Sequence, residues 1–210
     1  MKGSEKFPNA LIDQIENYAD AYLKEYSRAA NLIERSRLAQ AALLVQRTMA
    51  SGGTIYSCGN GGSAAISNHL LCDFAKGIQT DTSLRPKVVS LSSHTELLSA
   101  IGNDIGFEET FSYQVRSWGK PGDLLMAISS SGNSENIVRA LREAKTAGMA
   151  TIALTGFDGG RAAGLADVGI HVASQNNGVV EDLHQSVMHL LAQFIRAKHM
   201  DAALIPQRKF

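Results

Sequence analysis

The sequence lacks the features of a disulfide scaffold, a membrane anchor or a nucleic-acid-binding surface. Only two cysteines, Cys58 and Cys72, occur in 210 residues, too few for a disulfide framework. Twenty acidic residues balance twenty basic ones, so no excess charge favours nucleic acid or an anionic membrane. No apolar run approaches the roughly 20 residues of a membrane-spanning helix, and no charged-then-apolar leader opens the chain. We expect a soluble, cytoplasmic protein that binds neither nucleic acid nor membranes.

Short apolar runs alternate with helical patterns along most of the chain, which predicts an α/β fold. The pattern is typical of a three-layer sandwich around a parallel sheet with right-handed crossovers. Five strands are predicted, over residues 54–58, 87–91, 124–128, 151–154 and 168–172. We divide the chain into an N-terminal helical pair (1–52), a sheet domain (53–200) and a C-terminal tail (201–210).

The helical pair is predicted over residues 10–26 and 31–49, ahead of the first strand. Two such amphipathic helices could cover one face of the sheet or contact another subunit. The first helix carries an aromatic stripe that includes Tyr18, Tyr22 and Tyr26, which favours the subunit contact.

The loop after the third predicted strand is rich in hydroxyl groups. Ser129, Ser130, Ser131 and Ser134 fall within six residues and precede a helical pattern. A helix N-terminus offers unpaired N–H groups and a positive dipole end, which together with hydroxyl donors suit a phosphate group. The alternative is a plain turn in which Ser134 only caps the helix. One capping serine would suffice for that, so we favour phosphate binding.

A glycine-rich loop follows the first predicted strand, with the sequence Gly-Asn-Gly-Gly-Ser over residues 59–63. It has neither the spacing of a dinucleotide fingerprint nor the lysine of a P-loop, so a nucleotide-dependent enzyme is not indicated. Its glycines let the backbone approach a ligand, and Asn60 and Ser63 can bond to hydroxyl or phosphate groups. The alternative is a tight turn with a capping serine.

Two helices carry candidate acid–base or metal-binding side chains. His69 and Asp73 are four residues apart and share a helix face, either as a local pair or as groups that face a cleft. The closing helix adds Glu181 and His189. These two are separated by about 12 Å of helix rise, so they cannot comfortably reach one small ion on an unbroken helix. If they share a site, either Glu181 lies before the first full turn of the helix or another chain completes the site.

Four segments resemble the sugar isomerase (SIS) domain family, and within it the bacterial phosphoheptose isomerases of heptose synthesis. They follow the family order over nearly the whole chain: Cys-Gly-Asn-Gly-Gly-Ser (58–63), Ala-Ile-Gly-Asn-Asp (100–104), Ile-Ser-Ser-Ser-Gly-Asn-Ser (128–134), and Leu-Thr-Gly with Asp-Gly-Gly (154–160). The resemblance implies a flavodoxin-like five-stranded sheet and a homotetramer with active sites where subunits meet.

The resemblance also implies roles for individual residues. The four serines of the hydroxyl-rich loop are implied to bind the phosphate. Residues of the two glycine-containing segments are implied to contact the sugar: Asn60, Gly61, Gly62, Asn103 and Asp104. Zn²⁺ is implied at His69, Asp73, Glu181 and His189, with Glu181 also near the substrate.

The chain departs from the family pattern at and around the implied acid–base and metal-binding residues. Asp73 stands where the family has glutamate, which shortens the side chain by about 1.5 Å. Such a displacement could cost on the order of 100-fold in rate unless the backbone compensates. Glu181 replaces a glutamine; a second carboxylate would hold a cation more tightly but reduce its Lewis acidity. Gly77 replaces a basic residue, and His94 replaces an aspartate.

Aldose–ketose isomerisation fits these residues, with Asp73 and His189 as the acid–base pair that acts through a cis-enediol. The substrate implied by the resemblance is sedoheptulose 7-phosphate, converted to D-glycero-D-manno-heptose 7-phosphate. The alternatives are a different ketose phosphate, or a non-catalytic SIS module that binds a phosphosugar or a protein partner. Retention of His69, a carboxylate at position 73 and His189 favours the enzyme.

Overall fold

A five-stranded parallel sheet forms the middle layer of the protein in the computed structural model, which describes residues 6–210. Residues 1–5 of the predicted N-terminal unit lie outside this range. The strand order is β2-β1-β3-β4-β5, and all neighbouring pairs are parallel. The strands are β1 (Thr54–Gly59), β2 (Lys87–Ser90), β3 (Leu124–Ser129), β4 (Ala150–Thr155) and β5 (Val168–His171). The predicted α/β fold is confirmed.

Eight α-helices flank the sheet in the described part of the chain. They are α1 (Ile15–Leu32), α2 (Arg35–Ala50), α3 (Gly62–Cys72), α4 (Thr95–Asp104), α5 (Ser112–Trp118), α6 (Glu135–Thr146), α7 (Gly160–Leu165) and α8 (Asn177–His199). A π-helical turn (Asp73–Gly77) continues α3, and short 3₁₀ turns occur at Phe107–Glu109 and Ile205–Gln207. Within residues 6–210, no helix combines the length and the apolar character needed to cross a membrane.

β3 is buried on both faces, as its uninterrupted apolar run predicts. Leu124, Met126 and Ile128 belong to the core beneath α1, α2, α3 and α8. Leu125 and Ala127 belong to the opposite core, which is completed from α5, α6 and α7. The strand therefore fixes the position of the hydroxyl-rich loop that follows it.

The N-terminal helices pack against the same chain. Tyr22 donates a hydrogen bond to Asp182 at 2.5 Å, and the hydroxyl of Tyr26 lies 2.8 Å from Ser186 Oγ, both on α8. The aromatic stripe therefore includes contacts within the chain, whereas its sequence pattern favoured a subunit contact. The predicted start of α1 at residue 10 is also wrong: the helix begins at Ile15, and Leu11 is 87% exposed.

A directed chain of buried hydroxyl groups fastens α3 to the sheet. Ser57 of β1 bonds to Ser67 of α3 at 2.8 Å, and Ser67 bonds to Ser90 of β2 at 2.8 Å. Ser90 donates its only hydroxyl hydrogen to Asn68 Oδ1 at 2.6 Å. Ser67 must therefore donate to Ser90, and Ser57 to Ser67. Because α3 carries His69 and leads directly into the π-helical turn that begins at Asp73, these hydrogen bonds help to hold both residues in position.

A buried histidine on α8 makes stability depend on pH. His184 is fully buried, and neither ring nitrogen has a hydrogen-bond partner among residues 6–210. Burial lowers the pKa of His184 to about 4, and the Thr155 backbone opposes this only in part. The unfolded chain takes up the proton near pH 6.5, so stability is full above that pH and is lost as the pH falls towards 4.

We expect the free energy of unfolding to fall by about 2 kcal/mol between pH 7 and pH 5 through this residue. Urea unfolding at the two pH values measures the change. His184→Met, which removes the titrating group and fills the space with a flexible apolar chain, should lose most of this pH dependence. An equal loss in both proteins would show that other groups are responsible.

Candidate active site

A polar pocket of about 200 Å³ opens at the carboxyl ends of β1 and β3. This is where the strand order reverses, the usual ligand position in an open parallel sheet. Its walls come from four segments of the chain: Asn60, Ser63, Ile128, Ser129, Ser130, Ser131, Ser134, Phe157, Asn177 and Glu181. All four predicted phosphate-binding serines line it.

The hydroxyl-rich loop does more than cap a helix. Ser134 is the N-cap residue of α6, yet its side chain makes no capping hydrogen bond within the described chain. Ser130 Oγ is buried and has no partner among residues 6–210. A buried hydroxyl without a partner is costly, so this group fits a ligand that supplies an acceptor. The pocket also lies at the N-terminus of α6, where an anion is stabilised.

The loop from Gly156 to Gly160 supports the hydroxyl-rich loop from behind. Gly156 N–H donates to the Ser130 carbonyl, and Ala162 N–H donates to the Gly132 carbonyl, both at 2.9 Å. Gly160 has φ +55°, and a Cβ there would overlap the Ser131 carbonyl oxygen. The two loops therefore pack backbone against backbone, with no room for a side chain.

The glycine-rich loop forms the other wall of the pocket. Asn60 exchanges two hydrogen bonds of 2.9 Å with Asn136 of α6, which orients its amide. Gly61, at φ +53°, is the N-cap of α3, so Ser63 is not the capping residue and instead lines the pocket. Gly62 faces the Glu181 carboxylate so closely that a Cβ would overlap it.

His69, Asp73 and His189 come together as a three-residue cluster, with donor atoms within 4.8 Å of one another. His69 Nε2 lies 3.4 Å from Asp73 Oδ1, and His189 Nε2 lies 3.7 Å from Asp73 Oδ2. The two imidazole rings are 5.1 Å apart. The shorter Asp73 side chain thus places one oxygen near each histidine, and the backbone at this point is the start of the π-helical turn.

The cluster fits a divalent cation. Two ligands held tetrahedrally at about 2.0–2.2 Å lie roughly 3.3–3.6 Å apart, and the two histidine-to-carboxylate separations in the cluster are 3.4 and 3.7 Å. Two imidazoles and one carboxylate are also a donor set that catalytic zinc sites use.

Glu181, Asn103 and Asp104, also predicted as site residues, lie outside this cluster. Glu181 is not among the grouped metal donors in residues 6–210 and instead lines the polar pocket. Asn103 and Asp104 are exposed at the end of α4, where the Asn103 amide donates to Asp104 at 2.7 Å. They do not line the polar pocket of the single chain.

Four further residues were not predicted. Phe157 and Asn177 line the pocket, Asn136 orients Asn60, and Gln185 contacts His189. The glycine-rich 156–160 loop gave a signal for a turn at the sheet edge, but none for Phe157, which has φ +52°. For Gln185 the sequence does hold a signal: its four-residue spacing from His189 indicates that both lie on one helix face.

Comparisons with known proteins define the class. Residues 17–156 match the sequence model of the SIS domain, so the chain is an SIS-domain protein.

Relatives narrow the class further. A phosphoheptose isomerase from Nitratidesulfovibrio vulgaris is 39% identical over 184 residues, which cover 85% of this chain and 88% of the relative. The structure of a phosphoheptose isomerase from Neisseria gonorrhoeae is 35% identical with a TM-score of 0.79, covering 87% of this chain and 99% of that one. One from Francisella tularensis is 30% identical with a TM-score of 0.81, covering 88% and 97%. The chain belongs to the phosphoheptose isomerase family.

Proposed function

We propose that the protein is an aldose–ketose isomerase that converts sedoheptulose 7-phosphate to D-glycero-D-manno-heptose 7-phosphate. Its relatives carry the name phosphoheptose isomerase, and the pocket has the hydroxyl groups that a phosphate needs. The observation that carries the proposal is the His69–Asp73–His189 cluster, because a module that only binds a phosphosugar does not need an acid–base pair.

The pocket residues bind and orient the substrate. Ser129, Ser130, Ser131 and Ser134 surround the phosphate at the N-terminus of α6, where N–H groups and the helix dipole favour its negative charge. Asn60, fixed by Asn136, is placed to bond to a sugar hydroxyl. Asn103 and Asp104 would contribute to the sugar contacts once subunits assemble.

Asp73 and His189 perform the proton transfers. One takes the proton from the carbon next to the carbonyl, which leaves a cis-enediol, and the other returns a proton to the neighbouring carbon. His69, Asp73 and His189 would hold the cation, for which we propose Zn²⁺. When bound, it supplies polarisation of the substrate oxygens.

The proposed homotetramer needs subunit contacts, and an apolar groove between α2 and α8 offers a surface for one. Leu190 is 55% exposed and Phe194 is 53% exposed, and with Leu38 and Leu191 they line a groove of about 300 Å³. An adjoining groove of about 550 Å³ includes His189. Exposed apolar surface of this kind is typical of a protein contact, so a subunit on this face would lie next to the cluster.

The direct test is turnover of sedoheptulose 7-phosphate by the purified protein, together with its metal content. We expect turnover and a bound divalent metal. Protein that binds the phosphosugar but is metal-free and inert would instead be a non-catalytic binding module. If a shorter ketose phosphate is turned over in preference to the heptulose, the proposed isomerase reaction stands and the proposed substrate is wrong.

Ser130→Ala should raise KM by about 10- to 100-fold without destabilising the fold. The Ser130 hydroxyl has no partner in the described chain, so its removal costs no internal hydrogen bond, whereas a bond to a charged phosphate is worth about 1.5–3 kcal/mol. Kinetics and thermal unfolding measure the two effects. Ser117→Ala, on the far helix α5, is the matched control and should change neither. An unchanged KM would remove Ser130 from the phosphate site.

A further inference from the structure

Gln185 occupies the place next to the His69–Asp73–His189 cluster that the family resemblance implies for Glu181. Its side-chain Nε2 lies 2.6 Å from His189 Nε2, the same ring nitrogen that faces Asp73 Oδ2 at 3.7 Å. Gln185 and His189 are four residues apart on α8, so both project from one helix face. This is the shortest contact that the cluster histidines make with a side chain in the described range.

Glu181 is poorly placed to contact His189 or to share a cation with it. It lies a further turn towards the start of α8, about 12 Å of rise from His189. Its carboxylate lies against Gly62 and lines the serine pocket, and it is absent from the group of metal donors within residues 6–210.

The amide of Gln185 can present either of its two ends to the cluster. In the present orientation its nitrogen donates to His189 Nε2 and uses the lone pair that a cation would need. The amide oxygen and nitrogen have nearly the same shape, and the terminal torsion is broadly two-fold. A half-turn of the amide therefore brings an oxygen donor to this place. The side chain then has to move back by about 0.7 Å, from 2.6 Å to the separation of two tetrahedral ligands, which the flexible glutamine can do with little movement of the helix.

We propose that Gln185 is the fourth protein ligand of the cation, through its amide oxygen, with His69, Asp73 and His189. The inference rests on the proposed function for the presence of a cation. A neutral amide leaves a divalent ion with one net positive charge, whereas a second carboxylate would neutralise it. The replacement of glutamine by Glu181 therefore does not weaken the Lewis acidity of the site, and Glu181 is left to the substrate pocket.

Direct metal titration of the full chain tests the assignment without relying on activity. Metal is removed by chelation, and Co²⁺ binding is followed by calorimetry and by visible absorption, which reports the coordination sphere. Gln185→Met keeps the length and removes the oxygen donor, and we expect it to weaken Co²⁺ binding 10- to 100-fold with an altered spectrum. Gln185→Glu, which restores an oxygen, should bind at least as tightly as the parent.

Two controls separate this result from other causes. Gln193→Met makes the same change eight residues further along α8 and should bind Co²⁺ like the parent, as should Glu181→Leu. Parent-like or tighter binding by Gln185→Met would overturn the assignment, and tighter binding would show that the amide competes with the metal. A parent that binds no Co²⁺ would also overturn it. A parent that binds Co²⁺ through Gln185 but turns over no sugar would leave the ligand assignment standing and refute the proposed function.

Discussion

Asp73→Asn should lower kcat for sugar-phosphate isomerisation by about 1000-fold, within the range that one general acid or base contributes. The substitution keeps the size of the side chain and removes its charge. In the parent, the two carboxylate oxygens lie 3.4 and 3.7 Å from the nitrogens of His69 and His189. Cation affinity should fall as well, because the cluster loses its carboxylate. Kinetics and metal content measure both effects.

Asp20→Asn is the control for Asp73→Asn, because Asp20 is an exposed residue of α1 and its change should leave kcat and metal content unaltered. A kcat within tenfold of the parent in Asp73→Asn would exclude Asp73 from the chemistry. Asp73→Glu sharpens the test. Since the short carboxylate already reaches both histidines, the extra methylene should displace it and cost on the order of 100-fold in kcat. A gain in kcat would mean that the aspartate is too short for its task.

Gly160→Ala should raise KM by about 100-fold and lower the free energy of unfolding by about 2 kcal/mol. The backbone at Gly160 has φ +55°, and a Cβ would overlap the Ser131 carbonyl oxygen. The hydroxyl-rich loop would have to move away from its support, which would displace the serines from the phosphate. Kinetics and urea unfolding report the two effects separately.

Gly164→Ala is the matched control for Gly160→Ala. It lies on the same short helix, α7, and a Cβ there meets nothing within 4 Å. Alanine is the better helix former, so this variant should be as stable as the parent or up to about 1 kcal/mol more stable, with KM unchanged. Equal KM values for both glycine variants would show that the 156–160 loop does not hold the serine loop in its binding geometry.

The sheet and the phosphate loop could be predicted because their signals are local. The apolar run of β3, the hydroxyl-rich loop and the periodic helix after it are continuous in sequence, and the strand ends were predicted to within about one residue. The π-helical turn at Asp73 could not be predicted, because it has no composition or spacing of its own. The helical pattern after the glycine-rich loop predicts a helix over residues 64–76, whereas α3 ends at Cys72, where the π-helical turn begins.

The cluster depends on packing between distant segments. The pairing of His69 with Asp73 follows from helix periodicity, but their meeting with His189 depends on how α3 and α8 pack together. The helix-rise argument anticipated the separation of Glu181 from His189. It did not identify Gln185. The contact between Gln185 and His189 points to the cluster only because Asp73, from a distant segment, lies beside the same ring.

The hydroxyl chain through Ser57, Ser67 and Ser90 has a consequence for divergence among homologous proteins. Ser57 donates to Ser67, Ser67 donates to Ser90, and Ser90 donates to Asn68. Loss of the Ser67 side chain would remove two hydrogen bonds, each worth about 0.5–1.5 kcal/mol, although Ser57 would still reach the Ser67 carbonyl at 3.2 Å and Ser90 would still donate to Asn68. These positions are therefore expected to change together during evolution or not at all, and a lineage that replaced all of them with apolar residues could keep the catalytic helix in place by packing alone.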